Sequence, residues 1–254
     1  MTISRRSVIA NLASLPILSV PSLLLARSRF GDRDPVDFGR RAPSTFPVHG
    51  IDAARFQGQM NWKRIKREGV RFAWLKATEG GDLLDPEFKR NWRGAKRAGI
   101  PVGAYHFYYF CTDPETQAKW FIKNVPRLRG GMPPVLDLEW NPFSPTCTLR
   151  PPAREVRRLA NRFIQIVEQH YGTKVVIYTA PDFWERNGVN QLDRDFWLRS
   201  TATHVEKRFN VTDWLFWQYS STGIINGIEK EVDLNCFHGS QDQWETWRKA
   251  NGVG

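Results

Sequence analysis

The sequence predicts an α/β fold, a parallel barrel whose last third is poor in helices, and three observations predict it. From residue 48 onward, short apolar runs alternate with longer stretches of helical period. Beyond residue 178 the apolar runs continue while the helical stretches between them fade. Acids stand in or at the ends of several of these runs, and in a parallel barrel the C-terminal strand ends share one mouth.

The elements follow in order. Residues 48–52 read as a strand and 62–68 as a short helix; 72–77 is a strand, and 86–98 a helix closed by Gly99. Residues 102–108 form the next strand, and 114–124 a helix opened by Asp113 with Pro114 in its first turn. An acidic strand enters through Pro133-Pro134, followed by a long helix over 152–170 ended by Gly172, and a strand over 174–178. Then 195–199, 214–219 and 232–234 read as strands with little helix between them, and 241–249 as a short closing helix. No internal repeat is visible. A chain of 254 residues can bury one large core or two small ones, and the unbroken alternation assigns 48–254 to a single domain.

Two stretches precede that domain. Residues 28–47, rich in charge, Gly and Pro, read as a linker or an ordered N-terminal arm. In residues 1–27, Arg5-Arg6 stands before an uncharged, mostly apolar, Ser-bearing stretch that resembles a twin-arginine export signal. A membrane anchor is the competing reading, although Pro16 and Pro21 interrupt it as a spanning helix. The segment shows no Ala-x-Ala cleavage pattern. Either reading puts the rest of the chain outside the cytoplasm, periplasmic or extracellular.

The formal charge of +11 implies acidic partners, nucleic acid or an anionic polymer such as a cell wall or membrane face. The basic residues are dispersed, with no Lys/Arg run interleaved with aromatics, so nucleic acid ranks low. Eleven tryptophans exceed what packing usually asks for and suggest an aromatic-lined cleft. Cys111, Cys147 and Cys236 are too few and too scattered for a zinc site, and no His/Asp/Glu set has ligand spacing. Outside the cytoplasm one cysteine pair could be bridged. Cys111 and Cys147, each just past an expected strand, are favoured, and Cys236 reads as a buried small hydrophobe.

The most informative stretch is Val135-Leu136-Asp137-Leu138-Glu139. Side chains alternate along a strand, so Asp137 and Glu139 share one face and Leu136 and Leu138 the other. Two acids side by side on a buried strand repel each other and lose hydration, which a fold seldom accepts for stability alone. Paired carboxyls are what glycoside hydrolysis needs, one to protonate the leaving oxygen and one to manage the developing positive charge. A strand end whose acids reach solvent or pair with arginines is the plainer alternative. Asp52, ending the first strand, and Asp233, in the last, would add two more acids at the same mouth.

By this point the chain resembles the glycoside hydrolase family 25 lysozymes, N-acetylmuramidases acting on peptidoglycan, over about residues 49–237. Gly50-Ile51-Asp52 with Gln57-Gly58 and Asn61-Trp62 is similar to the family's opening motif, and Phe72-Ala73-Trp74-Leu75-Lys76-Ala77-Thr78-Glu79-Gly80 to its second-strand motif. Asp85-Pro86-Glu87-Phe88, Asn91-Trp92 and Ala98-Gly99-Ile100-Pro101-Val102-Gly103-Ala104-Tyr105-His106-Phe107 follow, then Leu136-Asp137-Leu138-Glu139 and Ile177-Tyr178-Thr179. Trp217-Gln218-Tyr219, Gly227-Ile228 and Val232-Asp233-Leu234-Asn235 complete the series. Each alone is weak, and six in order are strong. Ala53-Ala54-Arg55 departs from the family's usual Val-Ser-aromatic, and the Pro-rich stretch 141–151 carrying Cys147 could reshape the cleft.

The resemblance implies a modified TIM-like (β/α) barrel of eight strands with outer helices missing in the last third. It implies a monomer without cofactor or metal that cleaves the β-1,4 bond between N-acetylmuramic acid and N-acetylglucosamine with retention. Its partner would be peptidoglycan glycan strands, with no nucleic acid and no stable membrane association once the export segment is removed. Glu139 would be general acid and then base; Asp137 would orient the substrate's N-acetyl group, whose oxygen attacks, with a protein nucleophile as the open alternative. Asp52 and Asp233 would hold the sugar ring and the charge balance. Tyr105, Tyr178 and Trp217, with Trp197 next, would form the aromatic walls, each with a core role as the alternative. Lys76 is expected to contact substrate or to pair with Glu79 or Asp52, and His106, on the opposite face from Tyr105, to be a satisfied core histidine. A hydrolase of other N-acetylated glycans such as chitin, and a non-catalytic glycan-binding protein, are the competing functions.

Overall fold

The computed structural model describes residues 30–127, 130–142 and 144–254. The expected export segment, 1–27, lies outside the described residues. Ten strands and seven helices follow one another along the described residues. Strand β1 (Gly31–Asp32) belongs to the N-terminal arm, and β2 (His49–Ala53) leads through α1 (Trp62–Arg67) to β3 (Phe72–Glu79) and its two-residue partner β4 (Leu83–Leu84). Then come α2 (Phe88–Arg97), β5 (Val102–Phe107), α3 (Pro114–Asn124), β6 (Val135–Leu138), α4 (Ala153–Tyr171) and β7 (Val176–Thr179). The last third comprises α5 (Pro181–Asn187), β8 (Phe196–Arg199), α6 (Val205–Phe209), β9 (Phe216–Ile224), β10 (Val232–Phe237) and α7 (Gln241–Ala250).

Eight of these strands close into a barrel in the order β2-β3-β5-β6-β7-β8-β9-β10, with β10 returning to β2. Neighbours from β2 to β9 run parallel, whereas β10 is antiparallel to both β9 and β2. The barrel is therefore mixed and not wholly parallel. The reason is chain length: only residues 225–231 join β9 to β10, enough for a hairpin but not for a crossover to a parallel strand. The expected shortage of helices holds in altered form. After the 19-residue α4, α5 has seven residues and α6 five, and no helix separates β9 from β10. Helix α5 was legible in the sequence, with Pro181 in its first turn and Gly188, at φ 58°, ending it.

Period-two alternation divides the strands between two cores. Outward side chains such as Ile51, Leu75, Leu136, Leu138, Ile177 and Leu234 pack under the helices, against Phe121 of α3 and Phe163 and Ile164 of α4. His106 belongs to this outer core: it is fully buried, stacks on Phe163 and hydrogen-bonds Thr78 Oγ1 and Gln117 Oε1. Burial pushes its imidazole down to about 4, so it stays neutral at physiological pH. Inward side chains at the N-terminal end of the barrel are mostly aromatic: Phe72, Trp74, Trp197, Phe216 and Phe237. Room for them comes from two glycines. A Cβ on Gly50 would stand 2.4 Å from the Phe72 ring, and one on Gly103 2.6 Å from Trp74. Helix α7 closes this end with Trp244 and Trp247, which lie against Phe216 and Phe237. The barrel is thus solid at its base, and any cavity must open at the other end.

The arm replaces the missing helices over the last strands. β1 adds antiparallel to the end of β9, and Phe38 and Phe46 set their ring edges against Trp217 and Trp214. Phe30, Phe38 and Phe46 thereby anchor the arm to the outer core, while most of residues 31–41 stay exposed. Beyond the opposite end, a disulfide joins Cys111, after β5, to Cys147, after β6, the pairing favoured from sequence. Cys236 is a free, fully buried thiol.

Reducing that bridge opens a loop of 36 residues' separation. The loop-closure relation gives a loss of about 3–4 kcal/mol of stability, to be read from denaturant midpoints of the native and the Cys111→Ser/Cys147→Ser proteins. No change in midpoint would show that the two loops are held by other contacts.

Candidate active site

The open end of the barrel holds a cavity of about 220 Å³ lined by Asp52, Tyr105, Asp137, Glu139, Tyr178, Trp197, Arg199, Gln218, Ser221 and Asp233. Its four acids come from three strands distant in sequence. Asp52 stands near the end of β2, Asp137 on β6 with Glu139 just past it, and Asp233 near the start of β10. Reversal of β10 puts its first residues at the mouth, and register sets Asp233 opposite Asp52. On the other side Asp137 pairs in register with Tyr178, and Tyr178 with Trp197.

Asp52 is the most firmly held of the four. Its Oδ1 accepts hydrogen bonds from Gln218 Nε2 at 2.9 Å and Asn235 Nδ2 at 2.8 Å. The amide oxygens are used in turn: Tyr178 Oη donates to Gln218 Oε1 at 2.9 Å, and Trp197 Nε1 to Asn235 Oδ1 at 2.7 Å. The Trp197 indole N–H can only give and an ionised Asp52 can only accept, so each amide turns its NH₂ toward Asp52 and its oxygen toward the aromatic residue. Even so, burial pushes Asp52 up to about 6, against the two hydrogen bonds that favour its charged form, and Glu139 nearby raises it further.

Asp137 and Asp233 are also raised, first by burial and then by the other acids. Buried Oδ1 of Asp137 has no hydrogen-bond partner, so an acceptor aimed at this space is left for a ligand. Glu139 is raised by burial, while the positive charge of Arg199 works against that. Its Oε2 lies 4.0 Å from Arg199 Nη2, too far for a hydrogen bond.

A second, wider groove of about 1,310 Å³ leads onto this cavity, with Glu139 and Arg199 lining both. Its walls include Lys76, Glu79, Tyr109, Trp140, Arg150 and the Cys111–Cys147 bridge. The disulfide ties together the two loops that form the groove's lip. Lys76 Nζ binds Glu79 Oε2 at 2.6 Å and sits over the Phe107 ring, so the structure pairs it as the alternative reading allowed. Burial works to raise Glu79, but the hydrogen bond and charge of Lys76 and the Tyr109 hydroxyl outweigh it and hold Glu79 low.

Eight of the nine residues singled out from sequence therefore line the cavity or the groove. Trp217 does not. Its neighbours on β9, Phe216 and Gln218, face inward, so period two turns its indole outward. There it is fully buried, donates to the Ser200 carbonyl at 2.8 Å and packs on Phe38. Trp197 forms the floor, stacked on Trp74 at 4.7 Å between ring centroids. The cavity residues Arg199, Gln218 and Ser221 were missed, as was Asn235, which acts through Asp52. The same alternation could have found Arg199, Gln218 and Asn235, because each is a polar residue two positions from a buried aromatic on its strand: Trp197, Phe216 and Phe237. Among the described residues no group of three His, Cys, Asp or Glu is placed to hold a metal ion.

Comparison with known proteins agrees with the barrel. The profile of the glycosyl hydrolases family 25 matches residues 51–228. The Escherichia coli K12 protein YegX is 32% identical over 226 residues, 86% of this chain and 79% of that protein. Lysozyme M1 of Streptomyces globisporus is 36% identical over 208 residues, 77% of this chain and 69% of that protein. The solved structure of a family 25 glycosyl hydrolase from Bacillus anthracis superposes with a TM-score of 0.72 at 33% identity, covering 80% of this chain and 94% of that one. The chain belongs to glycosyl hydrolase family 25. It is a glycoside hydrolase.

The raised acids make stability depend on pH in a stated direction. Between roughly pH 4 and 6 the unfolded chain has released the Asp52 proton, near 3.8 for a free Asp, while the folded cavity still binds it, and the other raised acids act in the same direction. Folding is thus favoured below that window and weakened as pH rises through it. Asp137→Asn removes one of the crowded charges. It should stabilise the protein at pH 7.5, read as a higher denaturation midpoint than the parent's, and change little at pH 4. A variant less stable than the parent at pH 7.5 would show that Asp137 is held ionised by contacts not described above.

Proposed function

We propose that this protein is a lysozyme, a peptidoglycan hydrolase that cuts the β-1,4 bond between N-acetylmuramic acid and N-acetylglucosamine with retention at the anomeric carbon. The observation that carries the reading is the meeting of Asp52, Asp137, Glu139 and Asp233 in one cavity that opens onto a long groove. A polymer can lie along the groove while one sugar ring enters the cavity. The similarity to Lysozyme M1 and to the family 25 structure supports the substrate class. Such a substrate sits outside the cytoplasm, so an extracellular or periplasmic site of action follows, with export through residues 1–27 by the twin-arginine route and 48–254 as the catalytic domain.

Glu139 is the general acid. Among the four acids it alone lines the groove as well as the cavity, so it meets a glycosidic oxygen at the junction of the two. Burial keeps its proton at higher pH than a free glutamic acid would. In the second half of the reaction the resulting carboxylate takes a proton from water.

Asp137 orients the substrate's own acetamido group. Its unpartnered Oδ1 can accept the acetamido N–H, and the acetamido carbonyl oxygen then attacks the anomeric carbon. This hydrogen bond favours the ionised form of Asp137 and leaves the pair's proton on Glu139, where the leaving oxygen needs it. A positively charged intermediate forms between two carboxylates, Asp137 and Asp52, which lowers its cost. Asp233 faces the same ring from β10, and Tyr105, Tyr178 and Trp197 offer it apolar faces.

The Glu139→Gln protein should fold normally by circular dichroism and clear suspensions of purified peptidoglycan at least about 10³-fold more slowly. Wild-type digests should carry muramic acid at their new reducing ends, released first as the β anomer by proton NMR. Substantial clearing by the variant, or glucosamine at the reducing ends, would overturn the assignment.

A further inference from the structure

Arg199 is a cation at the junction of cavity and groove whose hydrogen-bonding capacity is idle. Two other cations of the groove are engaged: Lys76 with Glu79, and Arg150 with the Leu149 and Asn141 carbonyls while it covers the Trp140 ring. Arg199 has no hydrogen bond among the described residues, and its buried Nε has no acceptor. Glu139, its nearest carboxylate, lies at 4.0 Å. Alternation along β8 turns the side chain into the barrel beside Trp197, and it lines both the cavity and the groove.

The buried Nε–H without an acceptor is costly and an acceptor arriving with a ligand relieves that cost, while the side chain, 43% exposed, leaves the rest of the fork open to the groove. A guanidinium is also a fork matched to planar carboxylates. The cavity creates a need for it. Four carboxyls around one sugar repel any sugar that is itself an acid, and the substrate proposed above carries a carboxyl on its lactyl ether or, when that is amidated, on the attached peptide.

We propose that Arg199 is a specificity-determining residue that binds a carboxylate of the glycan at the junction of cavity and groove, so that the enzyme favours acidic N-acetylated strands over neutral ones. This rests on the peptidoglycan reading. The guanidinium offsets the repulsion between the acids and an anionic ring, and its fork fixes how that ring's side group leaves the cavity.

The test compares soluble peptidoglycan strands with free carboxyls against the same strands whose carboxyls have been converted to methylamides. For the wild type, kcat/KM should be about 10- to 100-fold higher on the free acid, the range of a charge-assisted hydrogen bond. In Arg199→Met this ratio should fall to near one, with the change mainly in KM, and Arg199→Lys, which keeps charge without the fork, should give an intermediate ratio. Strands stripped of peptide by an amidase, set beside peptide-bearing strands, report whether the lactyl or the peptide carboxyl is read. A ratio unchanged in both variants overturns the proposal. So does an equal loss on both substrates with a shifted alkaline limb of the pH profile, which would make Arg199 only a counter-charge for Glu139. Wild-type hydrolysis of unmodified strands is measured first: without it the peptidoglycan reading falls too, whereas with it a negative ratio test removes only the role of Arg199.

Discussion

Burying four carboxyls in one small space is the constraint around which this molecule is arranged. Desolvation raises all four and repulsion from the other acids adds to it for the three aspartates, and the fold tolerates them because a closed sheet that cannot splay fixes their backbones. Asp52 is locked further by two amides, each hydrogen-bonded to an aromatic donor two strands away around the barrel. The hydrogen-bond chain from Tyr178 through Gln218 to Asp52, and from Trp197 through Asn235 to the same oxygen, links β7, β8, β9, β10 and β2. Position is thereby enforced without satisfying every acid. Asp137 keeps a free acceptor and Glu139 lacks a close cation, as groups that must change protonation or partner during a reaction require.

The rest of the barrel keeps that arrangement rigid and open on one side only. Aromatic rings admitted by Gly50 and Gly103 fill the base, and α7 seals it. Where helices run short, the N-terminal arm shields the outer face of β9 with Phe38 and adds β1 to its end. The Cys111–Cys147 bridge joins the loops beyond β5 and β6 across the groove's lip, so the surface that meets a polymer is held by a covalent tie.

Much of this was legible in the sequence because strands write their geometry in a period of two. Asp137 and Glu139 declared a shared face directly, and the alternation of elements declared the barrel. The direction of β10 was not legible as long as its neighbours were read as repeats of one unit, although the brevity of residues 225–231 already required a hairpin. Trp217 was misplaced because an aromatic residue in a family motif was taken for a cavity wall without asking which way its strand turned it. Alternation marks Gln218, Asn235 and Arg199 as inward-facing, but what an amide or a lone arginine does there is set only once strands distant in sequence are side by side.

The most direct measurement of this account is a carbon-13 NMR titration of the Asp and Glu side-chain carboxyls in the ligand-free enzyme. Four carboxyls should titrate above the ordinary range of about 3.9 to 4.3, with Asp52 near 6. Asp137 and Glu139 should each shift when the other ionises. Ordinary, independent titration of all four would contradict the shared buried cavity and every role built on it.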